Sequence, residues 1–291
     1  ALSITQQFPE YQFGWKILGI ILGQTGRITE ALVAIQKAVA LTPADAEVHY
    51  NLALALQKLD RLQEAEASYR QAIALKPDFS GALLNRGQLL FDKRDFALAL
   101  QDFDLSNTGD SRARALWSLY ALGRTEDIYE RLKSHHELDA ENLKISAFSA
   151  FFSEAHNKAT GYNFCNNPLD FLYFSNISSN LEDANLFAKE VIAQLLNIKN
   201  IWEPAGNTTR KGFQSRTANN LFESPSKKIQ QLKSIIINEL GLYYTKFRNE
   251  SCPYIKRWPK ENCLHGWYVI LKEQGYQNVH MHHSGWLSGV I

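Results

Sequence analysis

Three imidazoles fall within four positions near the end of the sequence, at His280, His282 and His283 in GYQNVHMHHSGWLSGVI, residues 275–291. Neutral imidazole is a ligand for zinc, copper, nickel and non-haem iron. On a strand, residues two apart point the same way, about 6.6–6.8 Å from each other along the chain. His280 and His282 would therefore share a face and could converge on one ion, with Met281 and His283 on the other face. Two ligands are too few for a closed structural zinc site, which takes four, and suit a reactive metal with open positions. The spacing alone equally fits a polar strand end with unliganded histidines.

Such a pair needs a sheet to hold it. In residues 263–291, the β-branched and aromatic runs Trp267–Lys272 and Trp286–Ile291 predict strands, with turns expected at Gln274-Gly275 and Ser284-Gly285. Upstream, 181–200 places Leu181, Phe187, Val191 and Leu195 at helical spacing. Residues 226–249 carry an apolar stripe of Ile229, Leu232, Ile236, Leu240, Tyr243 and Phe247, with Ser226 placed to cap them. GYNFCNNPLDFLYFSNIS suits a loop followed by a short strand or extended segment. The polar stretch 203–225 is too long for a plain connector and reads as a functional or mobile loop. Its Arg210, Lys211 and Arg216 could meet an anion. Helices followed by hairpin-like strands predict an α+β domain over 161–291.

The first third of the chain has another texture. It repeats every 34 residues: Trp15, His49 and Leu83 align, as do Gly19, Ala53 and Gly87. Ala31, Ala65 and Ala99 follow, then Ile35, Tyr69 and Phe103, and Pro43 and Pro77 close their units. Small residues let two helices approach and bulky ones fill the gap between them. Proline then ends the second helix. One such pair cannot bury its apolar face, so the pairs must stack into a solenoid. DLSNTGDS (104–111) breaks the period, and a degenerate pair near 112–133 and a helix over 143–158 would cap the array. The chain thus reads as mainly α: repeats over 1–110 (a partial one at 1–11, then units from 12, 46 and 80), capping helices over 111–160, and the α+β domain over 161–291.

This pattern resembles the tetratricopeptide repeat. The resemblance implies a groove, lined by the first helix of each unit, that holds a protein or peptide. Asn51 and Asn85 match the positions where such repeats present an asparagine to a ligand backbone, with Tyr50 and Lys16 on the same surface. The basic residues with which some of these domains clamp a terminal carboxylate are not all present.

The text of 275–291 and the stretches NPLDF and TTRKGFQS resemble 2-oxoglutarate–iron(II) dioxygenases preceded by such repeats. The resemblance implies that 161–291 is the front part of a double-stranded β-helix, or jelly roll. His280 and His282 would match its metal-binding segment, with Fe(II) and 2-oxoglutarate as cofactors. Trp267, Tyr268 and Trp286 would be candidate walls of the substrate pocket. Two departures stand out. The commoner motif is H-x-D, yet no acid follows Glu273, and the distal histidine and the basic 2-oxoglutarate anchor have no counterpart here. The sequence is therefore expected to be a fragment with little oxygenase turnover of its own. A non-catalytic interaction scaffold and a cupin-like zinc or manganese protein remain alternatives.

Composition bounds the rest. With 31 basic and 30 acidic residues, net charge +1, nothing points to nucleic acid or an anionic membrane as partner. Cys165, Cys252 and Cys263 form no disulfide or zinc pattern, and a cytoplasmic setting is the expectation.

Overall fold

A Cβ added at Gly19 would lie 2.4 Å from Ile35 Cγ1, and one at Gly87 2.7 Å from Phe103 Cε1. The glycines thus set how closely α2 (Gln12–Gln24) meets α3 (Ile28–Leu41), and α6 (Ser80–Asp92) meets α7 (Phe96–Ser106). Between these pairs lies a third, α4 (Ala46–Lys58) with α5 (Leu62–Leu75). Ala53, Ala65, Tyr69 and Ala72 seal its contact, all fully buried. Thr42 (φ −137°, ψ 72°) and Lys76 (φ −140°, ψ 90°) leave the helical region because each precedes a proline, and there α3 and α5 stop. Ahead of all these stands a short α1 (Leu2–Gln7).

The computed structural model describes residues 2–162, 164–165, 167–204, 208–215, 219–261, 263–278 and 287–290. It has two units, Ala1–Tyr162 and Asn163–Ile291.

In the first unit the pairing continues past the break in the 34-residue period. Helix α7 has eleven residues where α3 and α5 have fourteen. Asn107 then turns the chain in the left-handed region (φ 45°), and a Thr108–Ser111 capping box starts α8 (Gly109–Ala121). The break is a tight turn between stacked helices. Helix α9 (Thr125–Ser134) follows, then α10 (Leu143–His156), whose Asn142 cap accepts from the Lys144 and Ile145 amides. Between α9 and α10, Asp139 takes a bidentate contact from Arg112, and its carbonyl accepts from Tyr162 Oη.

Four ion pairs share a sequence spacing of 27 residues, Glu10–Lys37, Glu66–Lys93, Asp104–Arg131 and Arg112–Asp139, and of these Glu66–Lys93 and Asp104–Arg131 tie one helical pair to the next. Within one pair, Arg86 forks onto Asp102 at 2.7 and 2.5 Å, and the Asp102 side chain is only 3% exposed.

Among its described residues the second unit carries an antiparallel sheet, in order β1 (Asn200–Trp202), β2 (Thr209–Ser215), β3 (Val269–Gln277). Helices α11 (Ala184–Leu196) and α12 (Lys227–Phe247) bury Phe187, Val191, Ile229, Leu232 and Ile235 together with Phe222. A second aromatic group joins Tyr243 and Phe247 of α12 to Tyr254 of α13 (Pro253–Lys256), Trp258 and Phe171.

Several expectations change here. The polar stretch 203–225 is not one long loop, because 209–215 is the central strand. Its buried polar groups satisfy one another: Thr209 Oγ1 donates to Gln214 Oε1 at 2.7 Å, and the Tyr268 amide to Ser215 Oγ at 3.1 Å. Gln274-Gly275 is a bulge inside β3, not a turn, because β2 pairs with β3 on both sides of it: Gly212 with Leu271, and Arg210 with Tyr276. Gln274 takes φ 57°, and a Cβ at Gly275 would lie 2.6 Å from the Lys211 carbonyl. Residues 168–171 and 177–180 are 3-10 turns, and the stretch between them, expected as a short strand or extended segment, is in no strand, with extended backbone at Leu172 and Asn176. Ser226 occupies the cap position of α12 but makes no side-chain cap bond. Of the strand expected over 286–291, residues 287–290 are described and are not in a strand. The described sheet has three strands and carries no jelly-roll identity.

Candidate functional site

The first helices of successive pairs lie side by side: α2 touches α4, α6 touches α8, and α8 touches α10. A ladder of side-chain contacts crosses these helices. Lys16 on α2 reaches Asp45 Oδ2 at 3.1 Å, and also Glu47 on α4. Asn85 Nδ2 on α6 donates to Tyr50 Oη on α4 at 3.1 Å. Arg114 on α8 donates to Gln88 on α6, and Lys144 on α10 to Asp110 on α8. Trp117 stacks on Phe151. Each rung joins a unit to the next, so the rungs mark one continuous face.

Of the four residues expected at a peptide groove, Lys16, Tyr50 and Asn85 take part in this ladder, and the structure brings two of them together. Tyr50 and Asn85 are hydrogen-bonded, and Phe79 lies 4.9 Å from the Tyr50 ring. Burial raises the Tyr50 hydroxyl above its ordinary value, with the Asn85 contact opposing, so it stays a neutral donor. Asn51 is half-buried, and its amide makes no hydrogen bond among the described residues. Lys16 does not stand free, since Asp45 and Glu47 hold it.

Asp45 has two tasks. It caps α4, accepting from the Glu47 and Val48 amides, and it pairs with Lys16. Burial alone would raise its carboxyl, but Lys16 and these amides together hold it below the usual carboxylate value. A group depressed in the folded state contributes its full stability above its unfolded value and loses it as pH falls through the folded one. Asn caps a helix as well as Asp does. Asp45→Asn should therefore cost up to about 1 kcal/mol at pH 7. The gap from the parent should begin to narrow as pH falls below about 4, the usual carboxylate range, and close below the lowered folded value, so it should be smaller at pH 3 than at pH 7 as read from urea midpoints.

An open cleft of about 430 Å³ involves α9 and the end of α7, where Asp104, Asn107, Arg124, Asp127, Arg131 and His135 line it. Its arginines are answered locally, Arg131 by Asp104 and Arg124 by Asp127, so it presents a solvated, internally neutral surface.

In the second unit Tyr268 is buried, with its hydroxyl donating to the Ile198 carbonyl at 2.7 Å and accepting from Asn200 Nδ2 at 3.1 Å. That anchors β1 to the start of β3. Trp267 is half-buried beside His265, ring centroids 6.2 Å apart. Burial and the neighbouring Cys252 push the Cys165 thiol up to about 11, which keeps it protonated rather than nucleophilic. His280, His282 and Trp286 lie outside the described residues, as does Arg216. Among the described residues no three His, Cys, Asp or Glu side chains converge on a point that could hold an ion.

Family comparison bears on residues 19–79 of the first unit. A tetratricopeptide repeat model matches residues 46–79, and a TPR repeat model matches residues 19–60. The N-terminal unit carries tetratricopeptide repeats. Similar solved structures include Pseudomonas aeruginosa PilF (18% identity, TM-score 0.45), over 50% of this chain and 69% of that one. YrrB, described as a TPR protein with an unusual peptide-binding site, shares 14% identity at a TM-score of 0.47, over 54% and 83%. The first TPR of Spaghetti, solved with an HSP90 peptide, shares 21% at a TM-score of 0.37, over 38% and 93%. No curated protein matches the chain. Among the described residues no helix is long and apolar enough to cross a membrane.

Sequence reasoning named Lys16, Tyr50, Asn51 and Asn85 as groove candidates and did not name the aromatic group at Trp117, Tyr120 and Phe151. The signal was present. Trp117 and Phe151 are 34 residues apart, the repeat period resumed beyond its interruption.

Proposed function

We propose that the tetratricopeptide unit is a protein-interaction module that holds an extended peptide segment on its first-helix face. The observation that carries this reading is Asn51, an uncommitted amide set among cross-helix contacts that fix its neighbours. An extended peptide exposes backbone donors and acceptors that an asparagine can meet in pairs. A displayed library of random peptides selected on the full chain tests it. Selected peptides should bind, and Asn51→Ala and Asn85→Ala should each weaken them about threefold to tenfold, the worth of one neutral hydrogen bond. Lys233→Ala on α12 should leave them unchanged. An empty selection, or binding indifferent to both asparagines, defeats the reading.

For residues 163–291 the H-x-H text supports a second reading, the front part of an iron(II)/2-oxoglutarate dioxygenase whose repeats recruit its substrate. The group would supply oxidative chemistry to the complete protein, with His280 and His282 holding the metal. Equilibrium dialysis of the chain against Co(II), a spectroscopic stand-in for iron(II), should show weak binding that the double variant His280→Ala/His282→Ala abolishes. Binding unaffected by that variant refutes it.

A further inference from the structure

The cations on the first-helix face are already answered by the protein itself. Lys16 is held by Asp45 and Glu47, and Lys144 by Asp110. Arg114 donates through Nη1 to Gln88. Its Nε has no hydrogen-bond partner but faces Asp110 Oδ2 at 3.5 Å, an ion-pair distance. Asp110 therefore serves two cations at once. Burial would raise its carboxyl, and Lys144 with Arg114 reverses that, holding it below the ordinary value. A ligand carboxylate arriving here would have to displace a carboxylate already in place. That exchange trades one ion pair for another and leaves little net gain.

What the far end of the face does offer is apolar. Trp117 and Phe151 stack with centroids 5.4 Å apart and planes at 30°. Tyr120 stands edge-on to both, at 6.1 Å and 88° from Trp117 and at 5.4 Å and 77° from Phe151. Buried Phe148 lies under Trp117 at 4.8 Å. Phe151 is 42% exposed and Tyr120 39%. Exposed rings held rigid by a packed floor are the usual anchors of protein contacts, since little rotamer freedom remains to be lost on binding.

Building on the peptide-binding reading above, we infer that this face takes an internal, uncharged stretch of polypeptide and not a chain end, with an aromatic or branched aliphatic side chain of the partner resting on Trp117, Tyr120 and Phe151. The asparagines at the middle of the face meet its backbone, and the aromatic shelf reads its side chain. Charge on the partner contributes little, so binding is nearly insensitive to salt.

The test selects two displayed decapeptide libraries on the full chain, one ending in a free carboxylate and one embedded between constant flanks. The embedded library should yield the binders, rich in Trp, Phe, Tyr, Leu and Ile and poor in Asp and Glu. Their affinity should change less than twofold between 50 and 300 mM salt. Phe151→Ala should weaken them tenfold or more, and Phe151→Leu should restore most of that. Because Asp110 answers two cations, Asp110→Asn should raise affinity for the acidic HSP90 peptide SRMEEVD severalfold and make it salt-sensitive. Binders that come only from the free-carboxylate library, or that lose tenfold on amidation, overturn this inference while leaving the asparagine face intact as a peptide site. So do binders indifferent to Phe151→Ala, or an Asp110→Asn chain no better than the parent at holding SRMEEVD. Empty selections from both libraries overturn the peptide reading and this inference together.

Discussion

Phe103→Ala should lower the stability of the repeat unit by about 3–5 kcal/mol, the cost of emptying a large aromatic site from a packed interior. The ring is fully buried and lies against the bare backbone of Gly87. It is thus the filler that sets the spacing of α6 from α7. Collapse around the vacancy is limited, because the helices already touch where they are smallest. The loss should appear as a lower urea midpoint by circular dichroism and as faster hydrogen exchange across α6, α7 and α8. Phe151→Ala, at an exposed position, should cost less than about 1 kcal/mol. Equal losses for the two would show that Phe103 is not the spacer described above.

The second large effect lies at the adjacent residue. Asp102→Ala should destabilise by about 3 kcal/mol, the low end of the range for stranding one member of a buried pair, because the Arg86 side chain keeps 21% of its surface in solvent. The cost is that of a guanidinium left half-buried without its carboxylate. The pairing itself contributes far less. Replacing both residues, as in Arg86→Met/Asp102→Leu, should therefore recover most of the loss, since apolar groups of similar size carry no desolvation cost there. Urea midpoints of the two single variants and the double close the cycle. A double variant as unstable as the sum of the singles would contradict this account.

The helical pairs were legible because a two-helix contact writes itself into residue size. Small residues at Gly19, Ala53 and Gly87 face large ones at Ile35, Tyr69 and Phe103, and nothing else in the chain has to be known to see it. Strand β2 was hidden for the opposite reason. TRKGFQS looks like loop text, because its buried Thr209, Gln214 and Ser215 are polar and only the fold reveals that they satisfy one another and Tyr268. The bulge at Gln274-Gly275 was read as a turn because local conformation was visible while the partner strand continuing past it was not. At the candidate site, register alone put Tyr50 and Asn85 on one surface, and they are hydrogen-bonded. The fate of Lys16 could not be read this way, because it depends on Asp45 and Glu47 from the following unit. The aromatic shelf escaped because α7 is three residues short of its counterparts, which moves the helices beyond it out of phase.

The pairs spaced 27 residues apart fasten the array locally: Glu66–Lys93 and Asp104–Arg131 join one helical pair to the next, Glu10–Lys37 ties the segment before α2 to α3, and Arg112–Asp139 ties α8 to the segment after α9. Tension applied by optical tweezers to the two ends of residues 1–162 would therefore meet a series of short seams in succession, as in other one-dimensional arrays. Extension should proceed as a staircase of small rips, one helical pair at a time, and not as a single rupture. Three of the seams are partly wet, so added salt should shrink the force of each rip without changing its length.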